Sequence, residues 1–280
     1  MSPKPSTASD YSTHQLNLVH SVCLYISTVI GDYINDLVIV GGLVPNLIIS
    51  QAPLPEGAEA HVGTQDLDIG FSLGALNSDR YHEIAEQLRR AEFIPDENEN
   101  LNPTIQRWKL DKPVNVTVDF LIPQTNRDEI GGTIKHLEKD FGAVITPGLE
   151  LAFQDRINLS IAGTTPFGEK AERDIWVCGP GAYIILKAMA FDSRGEGKDA
   201  YDLFYVVRNF GSGHEEVLQH LLPLIQNEHG KKAIDILKRD FSNPSLVGSV
   251  RVARFIHGQP NEETQVEVAG LINQVLHRIL

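Results

Sequence analysis

The sequence predicts an α+β protein, in which a mixed sheet with flanking helices is followed by a helical C-terminal half. Short apolar, β-branched runs bounded by glycine and proline lie before residue 178 and predict strands. Between them, apolar residues spaced three and four apart predict amphipathic helices. From Gly179 onward the long segments have helical spacing. We therefore predict an α/β domain over 11–178 and a helical domain over 179–280.

The predicted elements follow the chain in a clear order. In the first part they are a helix over 12–31, a strand over 37–42, a short helix from 43, a strand carrying Asp66 and Asp68, a helix over 78–91, a strand pair over 104–110 and 114–123, and strands over 149–163 and 172–178. In the second part they are two helices separated at Gly195 and Gly197, then helices near 214–227, 230–241, 245–257 and 262–279. Strands and helices are interleaved only in the first part, so we expect the sheet to belong to that part alone.

The composition excludes several classes of protein. The chain of 280 residues is 42% hydrophobic with a formal net charge of −13, and general salt-driven nucleic-acid binding needs a basic surface instead. The two cysteines, Cys23 and Cys178, form no disulfide framework and fit a reducing cytoplasm. The first ten residues, "MSPKPSTASD", lack the apolar region of a secretory signal and predict a short disordered tail over 1–10. No apolar window is long enough to span a membrane, so no membrane partner is expected.

Two aspartates stand one residue apart in the apolar run "HVGTQDLDIGFSL" over 61–73. Alternate residues of a strand share a face, so the carboxylates of Asp66 and Asp68 repel each other unless a cation or solvent separates them. Asp119, in the strand over 114–123, is a third carboxylate that an adjacent strand would bring near. Three such acids form an oxygen-rich pocket for Mg²⁺ or Mn²⁺, which can support phosphoryl or nucleotidyl transfer. Asp66, Asp68 and Asp119 are therefore the predicted metal ligands; the alternatives are a solvated edge strand and, for Asp119, a turn residue.

The segment over 37–42 is a strand that ends in a glycine pair, Gly41 and Gly42, where it leads into a turn before a helix. Such a pair leaves room for the backbone to approach a triphosphate, with helix amides facing the anion. On its own the pair is more often only a turn.

These positions together resemble the polymerase β-like nucleotidyltransferase fold, with Thr64 as the hydroxyl residue before the two acids. A second block, "LKAMAFDSRGEGKDAYDLFYV", is similar to the Lys-x-x-Ala and Arg-Gly…Lys-Asp-x-x-Asp-Leu pattern of AbiEii/AbiGii-type nucleotidyltransferase toxins. The matching positions are Lys187, Ala190, Arg194, Gly195, Lys198, Asp199, Asp202 and Leu203. The match extends from about Val38 to Val207.

The resemblance implies a polymerase β-like mixed sheet and a helical half that completes the active site. It implies a Mg²⁺- or Mn²⁺-dependent enzyme that moves a nucleoside monophosphate from a nucleoside triphosphate to an acceptor hydroxyl. Relatives of this kind are toxins of toxin–antitoxin or phage-defence systems, some acting on tRNA, so tRNA and an antitoxin protein are implied partners. The implied site residues are Asp66, Asp68, Asp119, Lys187, Asp199 and Asp202 for catalysis, and Gly41, Gly42, Thr64, Lys187, Arg194 and Lys198 for the nucleotide.

Each position of the second block also has a structural interpretation. A lysine in the apolar setting of Lys187 commonly extends its ammonium to solvent, and an acid at Asp199 suits a helix start. Arg194 and Lys198 either hold phosphate or pair with Glu196 and Asp192. The lysines and arginine of 229–240 indicate a solvated helix face more than an RNA contact. As an alternative function, the chain is a catalytically inactive nucleotidyltransferase-fold protein with a binding or regulatory role.

Overall fold

The computed structural model describes residues 5–51, 59–72 and 78–279, and the chain divides into two compact units. The first unit contains Thr13–Val44 and Gly63–Cys178, and the second contains Ser2–Ser12, Pro45–Val62 and Gly179–Leu280. The sequence predicts 11–178 as one continuous domain, whereas Pro45–Val62 belongs to the second unit. Part of that excursion, "APLPEGA" over 52–58, lies outside the described residues.

The first unit is built on a nine-stranded mixed sheet. Its strands are β1 (Leu37–Val40), β2 (Asp66–Phe71), β3 (Phe93–Glu97), β4 (Pro103–Leu110), β5 (Val116–Pro123), β6 (Ile134–Glu138), β7 (Phe141–Thr146), β8 (Arg156–Thr164) and β9 (Lys170–Cys178). The main order is β3-β4-β5-β2-β1-β9-β8, and β7 pairs with both β5 and β6. β2 runs parallel to β5 and antiparallel to β1, so the sheet is mixed as predicted.

The helices described before residue 178 are α1 (Thr13–Val29), α2 (Val44–Ile48), α3 (Ser78–Arg90) and α4 (Leu151–Gln154). α1, α3 and α4 belong to the first unit, whereas α2 lies almost entirely in the second. α1 packs against β8 and β9 in the first unit. The aromatic rings of Phe71, Phe120, Phe141 and Trp108 contact one another in the core beneath the strands. Burial of these large rings is a main source of the unit's stability.

The elements predicted from the sequence need correction in two places. Residues 151–154 form α4 and the strand begins only at Arg156, whereas the sequence predicts a strand over 149–163. β3, β6 and β7 are absent from the prediction because they are short, and β3 and β6 also carry charged or proline residues. Their strand conformation depends on hydrogen bonds to neighbours distant in sequence.

The second unit is helical, with α5 (Pro180–Arg194), α6 (Gly197–Asn209), α7 (His214–Leu221), α8 (Glu228–Phe241), α9 (Val247–His257) and α10 (Glu262–His277). Gly195 ends α5 in the left-handed conformation at φ +64°, so the break is where the sequence predicts it. Within the described part of the predicted disordered tail, residues 8–10 form a 3₁₀ turn, because the Asp10 carboxylate accepts hydrogen bonds from the backbone of Ser6 and Thr7. None of the described helices has the length and apolarity needed to cross a bilayer.

Candidate functional site

The strand β2 places two carboxylates on one accessible face. Leu67 and Ile69 are 0% and 1% exposed, whereas Asp66 and Asp68 are half-buried. This alternation follows from the twofold period of a strand and was predicted from the sequence. The pair is therefore not enclosed in the core, and solvent relieves part of its repulsion.

The register of β2 against β5 brings a third carboxylate to the same face. Asp68 pairs directly with Asp119, and Asp66 pairs with Thr117. Residues that pair in adjacent parallel strands point to the same side of the sheet. The three predicted metal ligands thus share a face on neighbouring strands, as the three-acid hypothesis requires.

An arginine that was not predicted from the sequence completes this set. Arg107 on β4 pairs with Asp119 across the antiparallel ladder, and its Nε donates to Asp119 Oδ1 at 2.6 Å while Nη2 donates to Oδ2. We call Asp66, Asp68, Asp119 and Arg107 the carboxylate face. The predicted strand pair over 104–110 and 114–123 gave part of this signal, because a short connection brings Arg107 to the face of Thr117 and Asp119. The observed register, in which Leu110 pairs with Val116, sets Arg107 opposite Asp119.

The charges of this face act on one another. Burial raises the pKa of Asp119 above its ordinary value, and the Arg107 hydrogen bonds oppose that rise. The Asp119 hydrogen bond, with added attraction from Asp66 and Asp68, raises the pKa of Arg107, so the guanidinium stays charged. Arg107 therefore supplies part of the positive charge that Asp66 and Asp68 require.

Gly41 is required by the position of Asp68. It adopts φ +71°, and a Cβ built on it would lie 1.7 Å from Asp68 Oδ2. A side chain at this position would therefore displace the carboxylate as well as strain the backbone. Gly41 makes room for a side chain of the carboxylate face, and the predicted contact of the glycine pair with a triphosphate stays a prediction.

The other predicted nucleotide contacts of the first unit lie beside these acids. Thr64 is 6% exposed, and its hydroxyl donates to Asp66 Oδ1 at 2.9 Å. Gly42 is buried in a 3₁₀ turn over Gly41–Leu43 that leads into α2. Thr64 therefore orients a carboxylate in this structure, while its contact with a triphosphate stays a prediction.

The oxygen donors of the carboxylate face suit a hard divalent cation, and Asp66 and Asp68 fit as its ligands. Asp119 fits less readily because the Arg107 guanidinium occupies both of its oxygens. Across the part of the chain that the structure describes, no group of three or more His, Cys, Asp or Glu side chains is arranged to hold a metal ion. Use of Asp119 as a third ligand would require the Arg107 fork to open.

The second unit contains a different arrangement of charges, in which Asp202 is completely buried. Lys187 Nζ lies 2.7 Å from Asp202 Oδ2, and the Lys198 ammonium contacts Oδ1. Asp199, 1% exposed, receives the Arg194 guanidinium through Nε at 2.6 Å and Nη2 at 2.7 Å, and Lys187 at 3.1 Å. These contacts tie α5 to α6.

His61 joins these charges and was not predicted from the sequence. It lies in Pro45–Val62, the segment that the second unit takes from the first half of the chain. Its Nε2 lies 2.8 Å from Asp202 Oδ1, and its Nδ1 lies 2.9 Å from Asn46 Oδ1. A lone histidine in an acidic loop carries no pattern that could have revealed this role. We call His61, Lys187, Arg194, Lys198, Asp199 and Asp202 the buried ionic cluster.

Electrostatics explain why the cluster is charged although it is buried. Burial alone would raise the pKa of Asp202, but Lys187 and Lys198 outweigh it and hold the pKa far below its usual range. Burial likewise acts to lower the pKa of Lys187, but Asp202 and Asp199 raise it above its ordinary value. For His61, burial and the charge of Lys198 lower the pKa to about 4, so the imidazole is neutral at pH 7.

The structure thus gives the predicted cations of the second block internal partners. Lys187 is 8% exposed and does not extend to solvent. Arg194 binds Asp199 and Lys198 binds Asp202, and both of these carboxylates are buried, unlike the Glu196 and Asp192 of the surface alternative. Asp192 instead pairs with Lys232 and Arg239 of α8, which supports the solvated-face interpretation of that helix.

No protein-family model matches this chain, and no curated protein sequence matches it.

Proposed function

We propose that this protein is a Mg²⁺- or Mn²⁺-dependent nucleotidyltransferase that moves a nucleoside monophosphate from a nucleoside triphosphate to an acceptor hydroxyl. The observation that carries the proposal is the carboxylate face, where Asp68 and Asp119 pair in register on adjacent parallel strands and Asp66 shares their side. The placement of Gly41 against the Asp68 carboxylate adds support, since it ties the glycine turn to the acids.

The chain's own residues have definite tasks in this proposal. Asp66 and Asp68 bind the cation through carboxylate oxygens, and the Thr64 hydroxyl holds Asp66 in orientation. A bound divalent ion supplies charge neutralisation for the triphosphate and the acceptor oxygen. Arg107 offsets the repulsion among the acids. The catalytic roles predicted for Lys187, Asp199 and Asp202 stay predictions, as do their contacts with the nucleotide.

The proposed acceptor is an RNA hydroxyl, with a tRNA end first, then a protein hydroxyl, then a small alcohol. This order, and the accompanying proposal of a toxin with a cognate antitoxin, rests on the motif resemblance at Lys187–Leu203 and not on the fold. The formal net charge of −13 requires any RNA contact to be local.

The test is transfer of label from each of four α-labelled nucleoside triphosphates to total RNA or total protein, with Mg²⁺ or Mn²⁺. We expect metal-dependent labelling of one acceptor class. Asp66→Asn and Asp68→Asn each remove a ligand charge and should reduce labelling by about 100-fold or more. Asp111→Asn, an exposed acid in the turn between β4 and β5, is the matched control and should leave labelling unchanged.

Unchanged labelling by both Asp66→Asn and Asp68→Asn would overturn the proposal. Mn²⁺ binding followed by electron paramagnetic resonance separates loss of the ion from loss of the fold, which circular dichroism reports for the same variants.

One observation favours the catalytically inactive alternative. Arg107 takes both oxygens of Asp119, which leaves two carboxylates for a cation. If the Arg107 guanidinium stays bound to Asp119, the protein binds a metal–nucleotide complex without transferring a nucleoside monophosphate from it. Metal-dependent triphosphate binding with no labelled product in RNA, protein or small-molecule fractions is the outcome that identifies this alternative.

A further inference from the structure

We propose that the second unit has a binding site for a small phosphorylated molecule, in a cavity between the start of α6 and one face of α9. The cavity has a volume of about 310 Å³, and its wall includes Ser6, Thr7, Lys198, Arg251 and Arg254. This volume is at the lower end of the range for small-ligand sites. The inference concerns residues outside the carboxylate face and does not depend on the proposed transferase activity.

The arginines of the second unit separate into two groups. Four of them form ion pairs with carboxylates: Arg194, Arg208, Arg239 and Arg278. The other two, Arg251 and Arg254, form no ion pair with any residue that the structure describes, and both line the cavity. Both side chains are exposed, and in a chain of net charge −13 two guanidinium groups one helical turn apart without a carboxylate partner make this wall attractive to an anion.

The geometry of α9 supports a single ligand for both arginines. Residues three apart on a helix lie on the same side, so the two guanidinium groups repel each other when nothing lies between them. A phosphate dianion relieves this repulsion and accepts paired hydrogen bonds from each fork. A carboxylate carries half the charge and would relieve it less.

The start of α6 adds donors to the same cavity. Gly197 and Lys198 both line it, and no side chain caps this end of the 13-residue helix. The first backbone N–H groups of a helix suit an anion. Only Glu196 contributes a carboxylate among the described lining residues, so the balance of charge at the wall is positive.

A small molecule fits these observations better than a polynucleotide. The positive groups are confined to one concave site, whereas a nucleic acid needs a continuous basic surface. On the neighbouring α8, two of the four basic residues, Lys232 and Arg239, are already paired with Asp192.

The test is calorimetric titration of the full chain with inorganic phosphate and methyl phosphate at constant ionic strength, with acetate as the monoanion. We expect one saturable site that prefers both phosphates to acetate. The double variant R251Q/R254Q should weaken phosphate binding by more than about tenfold. The variant R251K/R254K keeps the charges but loses the forks and should bind with intermediate affinity. R278Q removes an exposed, paired arginine of the same unit and should bind like the natural chain.

Four results would overturn the proposal. The first is no saturable phosphate binding by the natural chain, and the second is equal binding by R251Q/R254Q with its fold retained by circular dichroism. The third is binding of an RNA oligonucleotide through Arg251 and Arg254 without saturable binding of phosphate. The fourth is loss of phosphate binding only in Asp66→Asn, which would place the phosphate site in the first unit. A transfer assay without labelled product would contradict the proposed transferase activity but not this phosphate site.

Discussion

The carboxylate face and the buried ionic cluster both contain closely spaced aspartates with cationic partners, yet they use their charges differently. In the first unit, Asp66 and Asp68 are half-buried on a strand face that solvent reaches. In the second unit, Asp202 is fully buried and contacts Lys187, Lys198 and His61. The same residue type stays accessible to a ligand on the strand face, and joins two helices where internal cations occupy its oxygens.

The largest expected difference between these regions is in stability. Asp202→Asn removes the carboxylate that Lys198 contacts and one of the two that Lys187 contacts, and should reduce the free energy of unfolding of the second unit by about 3–5 kcal/mol. Asp68→Asn relieves repulsion on a half-buried face and should change the stability of the first unit by less than about 1 kcal/mol. Urea unfolding of each variant, with exposed Asp235→Asn as control, measures both. Equal losses for Asp202→Asn and Asp68→Asn would remove the distinction.

The pH dependence of stability tests the place of His61 in the cluster. Its folded pKa of about 4 lies below the ordinary value of 6.5, so the unfolded chain binds more protons between these limits. Stability from this residue is therefore present above pH 6.5 and lost as the pH falls toward 4, by about 3 kcal/mol in total. In His61→Gln this part of the loss should disappear. The prediction would be contradicted if the free energy of unfolding changed with the same slope between pH 4 and pH 6.5 in the natural chain and in His61→Gln.

Gly41 tests how closely the turn after β1 is fitted to Asp68. Gly41→Ala introduces a positive-φ alanine and a clash with the carboxylate, and should destabilise the first unit by about 2–4 kcal/mol. Gly132→Ala is the matched control, because Gly132 also has positive φ, at +83°, but a Cβ at that position would meet no atom within 4 Å. We expect Gly132→Ala to cost about 1–2 kcal/mol. The difference between the two variants in thermal unfolding measures the cost of the clash with Asp68. An equal loss of stability in both variants would show that there is no such clash.

The smallest expected effect concerns the fork on Asp119. Arg107→Gln removes a positive charge and frees both carboxylate oxygens, so Mn²⁺ affinity should rise by about tenfold, or about 1.4 kcal/mol. Lys109→Gln, which removes a cation two residues along β4 that pairs with Asp96, should raise it less. A Mn²⁺ titration followed by electron paramagnetic resonance measures both. Weaker Mn²⁺ binding in Arg107→Gln would contradict this prediction and show that the arginine holds the carboxylates in place for the ion.

The sequence by itself determined the features that depend on local periodicity. The alternation of Leu67 and Ile69 with Asp66 and Asp68 follows from the geometry of a strand, and the break between α5 and α6 follows from Gly195. The boundary of the α/β part near residue 178 followed from the change in periodicity. Each of these properties is encoded within a few consecutive residues.

Only the tertiary structure decided which charges meet. Asp119 stands beside Asp68 because β5 pairs with β2, and Arg107 takes the Asp119 carboxylate because β4 pairs on the other side of β5. His61 reaches Asp202 because Pro45–Val62 joins the helical unit. The physical reason is that strand pairing and burial depend on packing between segments distant in the chain, whereas the preferences of one segment record only its own period and termini.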